Sequence, residues 1–92
     1  MKIEVTAKFI DGTSKDIDAV FADFVAFERT WNRSVAQLET DLRLTDLAWL
    51  TWHSEKRRKQ TQLTFDPDWI GLIETIELRE EPEDEEVPVP LD

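Results

Sequence analysis

The chain has 92 residues, of which 40% are hydrophobic and 35% charged, with a formal net charge of −10. That length holds one domain with a modest core and leaves little surplus for a deep catalytic cleft. With no cysteine, disulfides and thiolate metal sites are excluded. The acidity disfavours direct contact with nucleic acid phosphates, and no run approaches the roughly 20 apolar residues of a membrane-spanning helix.

The charge is unevenly placed. Seven of the 21 acidic residues and none of the 11 basic ones lie in residues 80–92, which leaves residues 1–79 with a net charge of −3. The acidity thus points to solubility or to a basic partner. The first ten residues alternate charged and apolar groups and carry no signal-peptide core, so the expected location is a cytoplasm.

Met1 to Ile10 reads as a strand, with Ile3, Val5, Ala7 and Phe9 on one face and Lys2, Glu4, Thr6 and Lys8 on the other. Asp11-Gly12 is a strong hairpin signal, and the return strand runs from about Ser14 to Ala19. A two-stranded hairpin is marginal alone, so it must lie on helices or join another sheet. The first helix is expected over about 20–31. Val20, Phe24, Phe27 and Trp31 form its stripe, Asp18 is its candidate N-cap, and Asn32 ends it in the left-handed region. Ser34 with Gln37 makes a capping-box pattern for a short turn over Val35 to Glu39.

The densest apolar run follows. Leu42, Leu44, Leu47, Ala48, Trp49, Leu50 and Trp52 cover nearly the whole circumference of a helix over about 41–58, with Asp41 as its candidate cap. Only the strip carrying Asp46 and His53 reads as wet. Lys56, Arg57, Arg58 and Lys59 close this central helix, where cations complement the dipole. Asp66-Pro67 reads as the start of a last helix over about 67–78, with Trp69, Ile70, Ile73 and Ile76 as its stripe and Gly71 as a weak point. Residues 80–92, with three prolines and seven acids, read as a disordered tail. The expected fold class is therefore α+β: an N-terminal β-hairpin over 2–19, three helices around a central apolar helix, and an acidic C-terminal tail.

Little in this inventory suggests chemistry. His53 is the one histidine, no nucleophile has a base beside it, and no spacing suits zinc or calcium. Catalytic residues, metal ligands and a cofactor are not expected. The central helix is another matter, because few elements are available to enclose it. Trp49 and Trp52 lie three apart on one face, and tryptophan is favoured at interface hot spots. Trp49, Leu50, Trp52, His53 and Phe27 are the candidate contacts for a partner or a second copy.

Several stretches resemble the small tail assembly chaperones of long-tailed bacteriophages, of the type found in actinobacterial phages and prophages. They are the hairpin at Asp11-Gly12, the run from Phe21 to Arg29, Ser34-Val35, the segment Leu47-Ala48-Trp49-Leu50-Thr51-Trp52-His53, and Leu63-Thr64-Phe65-Asp66 followed by Trp69. The resemblance covers about residues 1–80. Thr51 and Ser54 depart from the small residues of that family's pattern, and the basic run Lys56 to Lys59 is heavier. The resemblance implies a non-enzymatic protein that binds the tape measure protein and keeps it soluble during tail tube assembly. It also implies self-association, residence in the host cytoplasm, and absence from the finished virion. The alternative from charge is an acidic DNA mimic that inhibits a nucleic-acid enzyme.

Overall fold

A computed structural model describes residues 2–79 of the chain. The elements run β1 (Ile3–Phe9), β2 (Ser14–Ala19), α1 (Phe21–Trp31), α2 (Val35–Thr40), α3 (Leu44–Arg57), two short helical turns (Phe65–Trp69 and Ile70–Leu72) and β3 (Ile73–Leu78). The class is α+β, as its residues predict. The expected tail at 80–92 lies outside the described residues.

β1 is the middle strand of an antiparallel sheet ordered β2-β1-β3. Its alternation sets the faces. Ile3, Val5 and Ala7 stand opposite Ala19, Ile17 and Lys15 of β2, while Val5, Ala7 and Phe9 stand opposite Leu78, Ile76 and Ile73 of β3. Directly opposed residues share a face, so one side of the sheet is apolar. The other carries Glu4, Thr6, Lys8, Asp16, Asp18 and Glu77. The hairpin closes on Gly12 with φ +93°, a conformation that costs a residue with a Cβ more than it costs glycine. Its marginal two strands are thus stabilised both ways, by a third strand and by helices against the inner face.

The expected helix over 67–78 is corrected. Chain 65–72 makes only short helical turns, and 73–78 is strand. The misreading has a physical source. Ile73 and Ile76 are three apart, the spacing of a helical stripe, yet both lie opposite inward residues of β1. A bulge accounts for this: Phe9 and Lys8 stand opposite Ile73 and Thr75, so Glu74 is the extra residue. Gly71 and the β-branched run that follows also favour extended chain over helix.

Helix ends were legible in part. Asn32 closes α1 at φ 53°, and Ser34 with Gln37 caps α2 reciprocally. The Ser34 hydroxyl accepts from the Ala36 N–H at 2.9 Å, and Gln37 Oε1 accepts from the Ser34 N–H at 3.1 Å. Two other caps are corrected. Asp18 does not cap α1; the Asp23 carboxylate does, accepting the Val20 N–H at 2.9 Å. Asp41 does not cap α3, which begins at Leu44; Asp46 accepts the Arg43 N–H at 3.2 Å. In both cases an acid three residues inside the helix reaches back to its start.

The core has two connected parts. Phe24, Phe27, Leu38, Trp49 and Leu50 pack between the helices, and Leu47 packs on Val5, Ala7 and Ile17 of the sheet. Each fully buried large side chain contributes about 1.5–3 kcal/mol. α3 lies against β2, α1 and the turn Phe65–Trp69.

Candidate functional site

α3 is less apolar inside than its sequence suggests. Asp46, Thr51, Ser54 and Glu55 are all buried. Asp46, Ser54 and Glu55 tie the helix to other parts of the chain, and Thr51 bonds back within α3. Asp46 accepts from Arg33 at 2.7 Å, the Ser54 hydroxyl donates to the Asp18 carbonyl at 2.6 Å, and the Thr51 hydroxyl donates to the Leu47 carbonyl at 2.8 Å. Glu55 accepts from Lys15 at 2.7 Å through one oxygen and from the Trp69 indole N–H at 3.1 Å through the other. Buried polar groups require such partners. The expectation of a wet strip through Asp46 and His53 is therefore corrected, because Arg33 and Asp23 cover it.

Asp23 is the most enclosed of these acids. Its side chain is fully buried, and Arg57 donates to both oxygens at 3.0 Å. His53 Nδ1 lies 2.7 Å from the same carboxylate, with its ring stacked on Trp49 at 5.0 Å between centroids. Burial pushes the Asp23 carboxyl up, but the hydrogen bonds from Arg57, the Val20 N–H and His53 outweigh it and hold the carboxyl below its ordinary value. The same bonds raise the Arg57 guanidinium. His53 and Arg57 are one helical turn apart, so both reach Asp23 from one face of α3. This joins two motifs that the sequence held apart, the lone histidine and the basic run. The missed signal was an acid at the third position of α1 facing a His and an Arg spaced by four.

The five residues expected to contact a partner divide sharply. Phe27 and Leu50 are fully buried and Trp49 nearly so. The sheet, α1 and α2 cover more of α3 than the element count suggested, so these three belong to the core and are withdrawn as surface contacts. Trp52 and His53 are half-buried at the rim. Trp52 donates its indole N–H to the Leu63 carbonyl at 2.9 Å and lies 5.6 Å from the Phe65 ring. The structure brings Trp49, Trp52 and His53 together, but as packing partners of one another.

The open apolar surface lies elsewhere on α3. Leu44 at its first turn is 73% exposed and Leu78 at the end of β3 is 51% exposed. Two shallow grooves run beside them. One is lined by Leu44, Ala48, Ile73 and Ile76, the other by Ile3, Leu38, Leu42 and Leu78. Sequence periodicity could not mark this face, since it counted Leu42 and Leu44 with the enclosed residues.

Among the described residues no group of three or more His, Asp or Glu side chains is placed to hold a metal ion, and no helix is long and apolar enough to cross a membrane. Comparison with protein-family models, curated proteins and solved structures returns no match.

Proposed function

We propose that this chain is a non-enzymatic assembly chaperone that binds the tape measure protein of a long-tailed bacteriophage and keeps it soluble while the tail tube forms. The observation that carries this reading is the uncovered apolar surface around Leu42, Leu44 and Leu78. A small domain with a tied-down core keeps that surface open, and the same chain carries in its sequence a run of acids at 80–86. Exposed contiguous apolar surface marks interaction sites, and a neighbouring negative charge keeps a complex with an aggregation-prone helix in solution. The ordered motifs from Asp11-Gly12 to Trp69 supply the phage context. The reading places the protein in the host cytoplasm and outside the virion, with self-association as a property to be measured alongside.

The acids of the sheet's outer face do not favour the DNA-mimic alternative. Glu4 and Asp18 are paired with Arg79, and Glu77 with Lys8, so they are not a free array of negative charge.

Co-expression with the tape measure protein of the same genome tests the proposal, read by size-exclusion chromatography with light scattering. The expected result is a partner that is soluble only in the presence of this chain and elutes with it. A monomer of this chain beside an insoluble partner would overturn the reading and turn attention to inhibition of nucleic-acid enzymes.

A further inference from the structure

The sheet has two edges among the described residues, and they differ. The hairpin bond from the Phe9 N–H to the Thr13 carbonyl, 2.8 Å, fixes the pattern between β1 and β2. Bonded and non-bonded pairs alternate along an antiparallel ladder. Lys15, Ile17 and Ala19 therefore turn their backbone groups to β1, and Ser14, Asp16 and Asp18 turn theirs outward. On β3 the outward residues are Ile76 and Leu78, because the Arg79 N–H donates to the Glu4 carbonyl at 2.8 Å. Glu74 and Glu77 flank that second edge, whereas cations gather at the first.

α3 ends beside the β2 edge. The buried Ser54 hydroxyl donates to the outward Asp18 carbonyl at 2.6 Å, and Arg58 reaches the same oxygen at 3.4 Å. Those bonds close the edge at Asp18. They leave the backbone N–H and C=O groups of Ser14 and Asp16 without a partner among the described residues. Between this open stretch and the end of α3 lies a cleft of about 310 Å³, lined by Lys15, Ile17, Ser54, Glu55, Arg58 and Gln60.

The charge around the cleft is positive. Lys15 neutralises Glu55 at 2.7 Å, and Asp23 takes up Arg57. Lys56, Arg58 and Lys59 meet no carboxylate among the described residues. Their charges exceed the roughly half an elementary charge of the helix end. Asp16 and Asp18 do not offset them. Their carboxylates lie on the outer face of the sheet, held by Thr6 at 2.8 Å and Arg79 at 2.7 Å. More distant acids are screened over about 10 Å at 0.1 M salt.

We infer that the outer edge of β2 binds an extended acidic peptide, which adds a fourth strand beside Ser14 and Asp16 and sets a carboxylate between Lys15 and Arg58. Unfilled backbone groups on an edge call for a strand, and the cations beside them call for an acid. Directly opposed residues share a face. The peptide residue beside Lys15 thus points into the cleft, and its two neighbours point to the face that carries the Asp16 carboxylate. The sequence that fits alternates an acid with an uncharged residue. Main-chain bonds supply the attachment, and the cations select the side chain. The site is separate from the apolar surface around Leu42, Leu44 and Leu78 and does not rest on the chaperone reading.

The test uses the full chain and two labelled peptides of about eight residues, long enough to span Ser14 to Asp18. One alternates Glu and Thr, the other Lys and Thr. Binding is read by fluorescence anisotropy. The Glu/Thr peptide is expected to bind, more weakly as salt rises, and the Lys/Thr peptide to fail. Arg58→Glu alters an exposed side chain, so circular dichroism should be unchanged and affinity should fall about tenfold or more. Arg29→Glu makes the same charge change at an exposed residue of α1 outside the cleft and should bind as the parent does. Amide hydrogen exchange by NMR locates the added strand. The Glu/Thr peptide should slow exchange at Ser14 and Asp16 about tenfold or more and leave Ile76 and Leu78 unchanged.

Failure of the Glu/Thr peptide to bind overturns the inference, and so does equal binding by the parent and Arg58→Glu. Slowed exchange at Ile76 and Leu78 in place of Ser14 and Asp16 overturns it by moving the strand to β3. Binding that leaves all four amides unchanged overturns it by reducing the edge to a charged patch. A dimer that protects Ser14 and Asp16, in a parent that binds neither peptide, overturns it in favour of a second copy.

Discussion

Asp23 and Arg57, 34 residues apart, meet through two N–H···O bonds of 3.0 Å that join the start of α1 to the end of α3. Bidentate pairs of this kind are among the stronger polar contacts. The Asp23 carboxylate is fully buried, so removing its charge leaves Arg57 and His53 facing an uncompensated site. Asp23→Asn should cost about 3 kcal/mol, read as a fall in urea midpoint at neutral pH. The pH dependence has a definite sign. The folded carboxyl titrates below its ordinary value of 3.8, so its contribution is fully present above that value and is lost as pH falls through the folded value. The gap between parent and Asp23→Asn should therefore narrow in acid. An equal gap at both pH values would sink the assignment.

Two leucines of α3 offer a sharper test of which way the helix faces. Leu50 is fully buried and Leu44 is exposed. Leu50→Ala should destabilise by about 2–5 kcal/mol through lost transfer energy and a residual cavity. Leu44→Ala should stay within about 0.5 kcal/mol. Chemical denaturation of both variants checks the pair, and similar losses at the two positions would mean that α3 is rotated from the orientation described.

The contrast between those leucines also shows where sequence reasoning stopped. The alternation of Ile3, Val5, Ala7 and Phe9, the turn at Gly12, the left-handed Asn32 and the Ser34–Gln37 cap are local signals, and each was legible because a few bonds decide it. α3 was legible as a helix but not as an orientation. An apolar residue at every angle leaves the buried face to be set by tertiary partners, such as Arg33 for Asp46 and Lys15 for Glu55. β3 was read as helix because a bulge at Glu74 gives a strand the three-residue spacing of a helical stripe. Of the expected contacts only Trp52 and His53 reach the rim, and the exposed Leu42 and Leu44 were hidden within the same apolar count.

Arg79 holds the edge strand across the sheet's outer face. It lies 2.7 Å from Asp18, 3.3 Å from Glu4 and 3.8 Å from Asp16, and its Nε donates to the Val5 carbonyl at 3.3 Å. The guanidinium is about one-third exposed, so solvent screening limits its worth, and Arg79→Ala should cost about 1 kcal/mol. Most of that cost should vanish near 1 M salt, where the screening length falls to about 3 Å. Urea midpoints of parent and variant at low and high salt give the comparison; a cost that ignores salt would assign Arg79 a packing role.

The two glycines should respond oppositely to alanine. Gly12 holds φ +93° at the hairpin turn and donates its N–H to the Phe9 carbonyl at 3.0 Å. A Cβ there meets no atom within 4 Å, so the penalty is conformational, and Gly12→Ala should cost about 1 kcal/mol. Gly71 also has open space around its Cβ position, without the positive φ of Gly12. Gly71→Ala should leave stability unchanged or raise it by about 0.4–1 kcal/mol, by reducing the freedom of the unfolded chain. Thermal melts of the two variants decide the matter. If Gly71→Ala lost as much as Gly12→Ala, the chain at 70–72 would have to adopt a backbone other than the short helical turn that leads into β3.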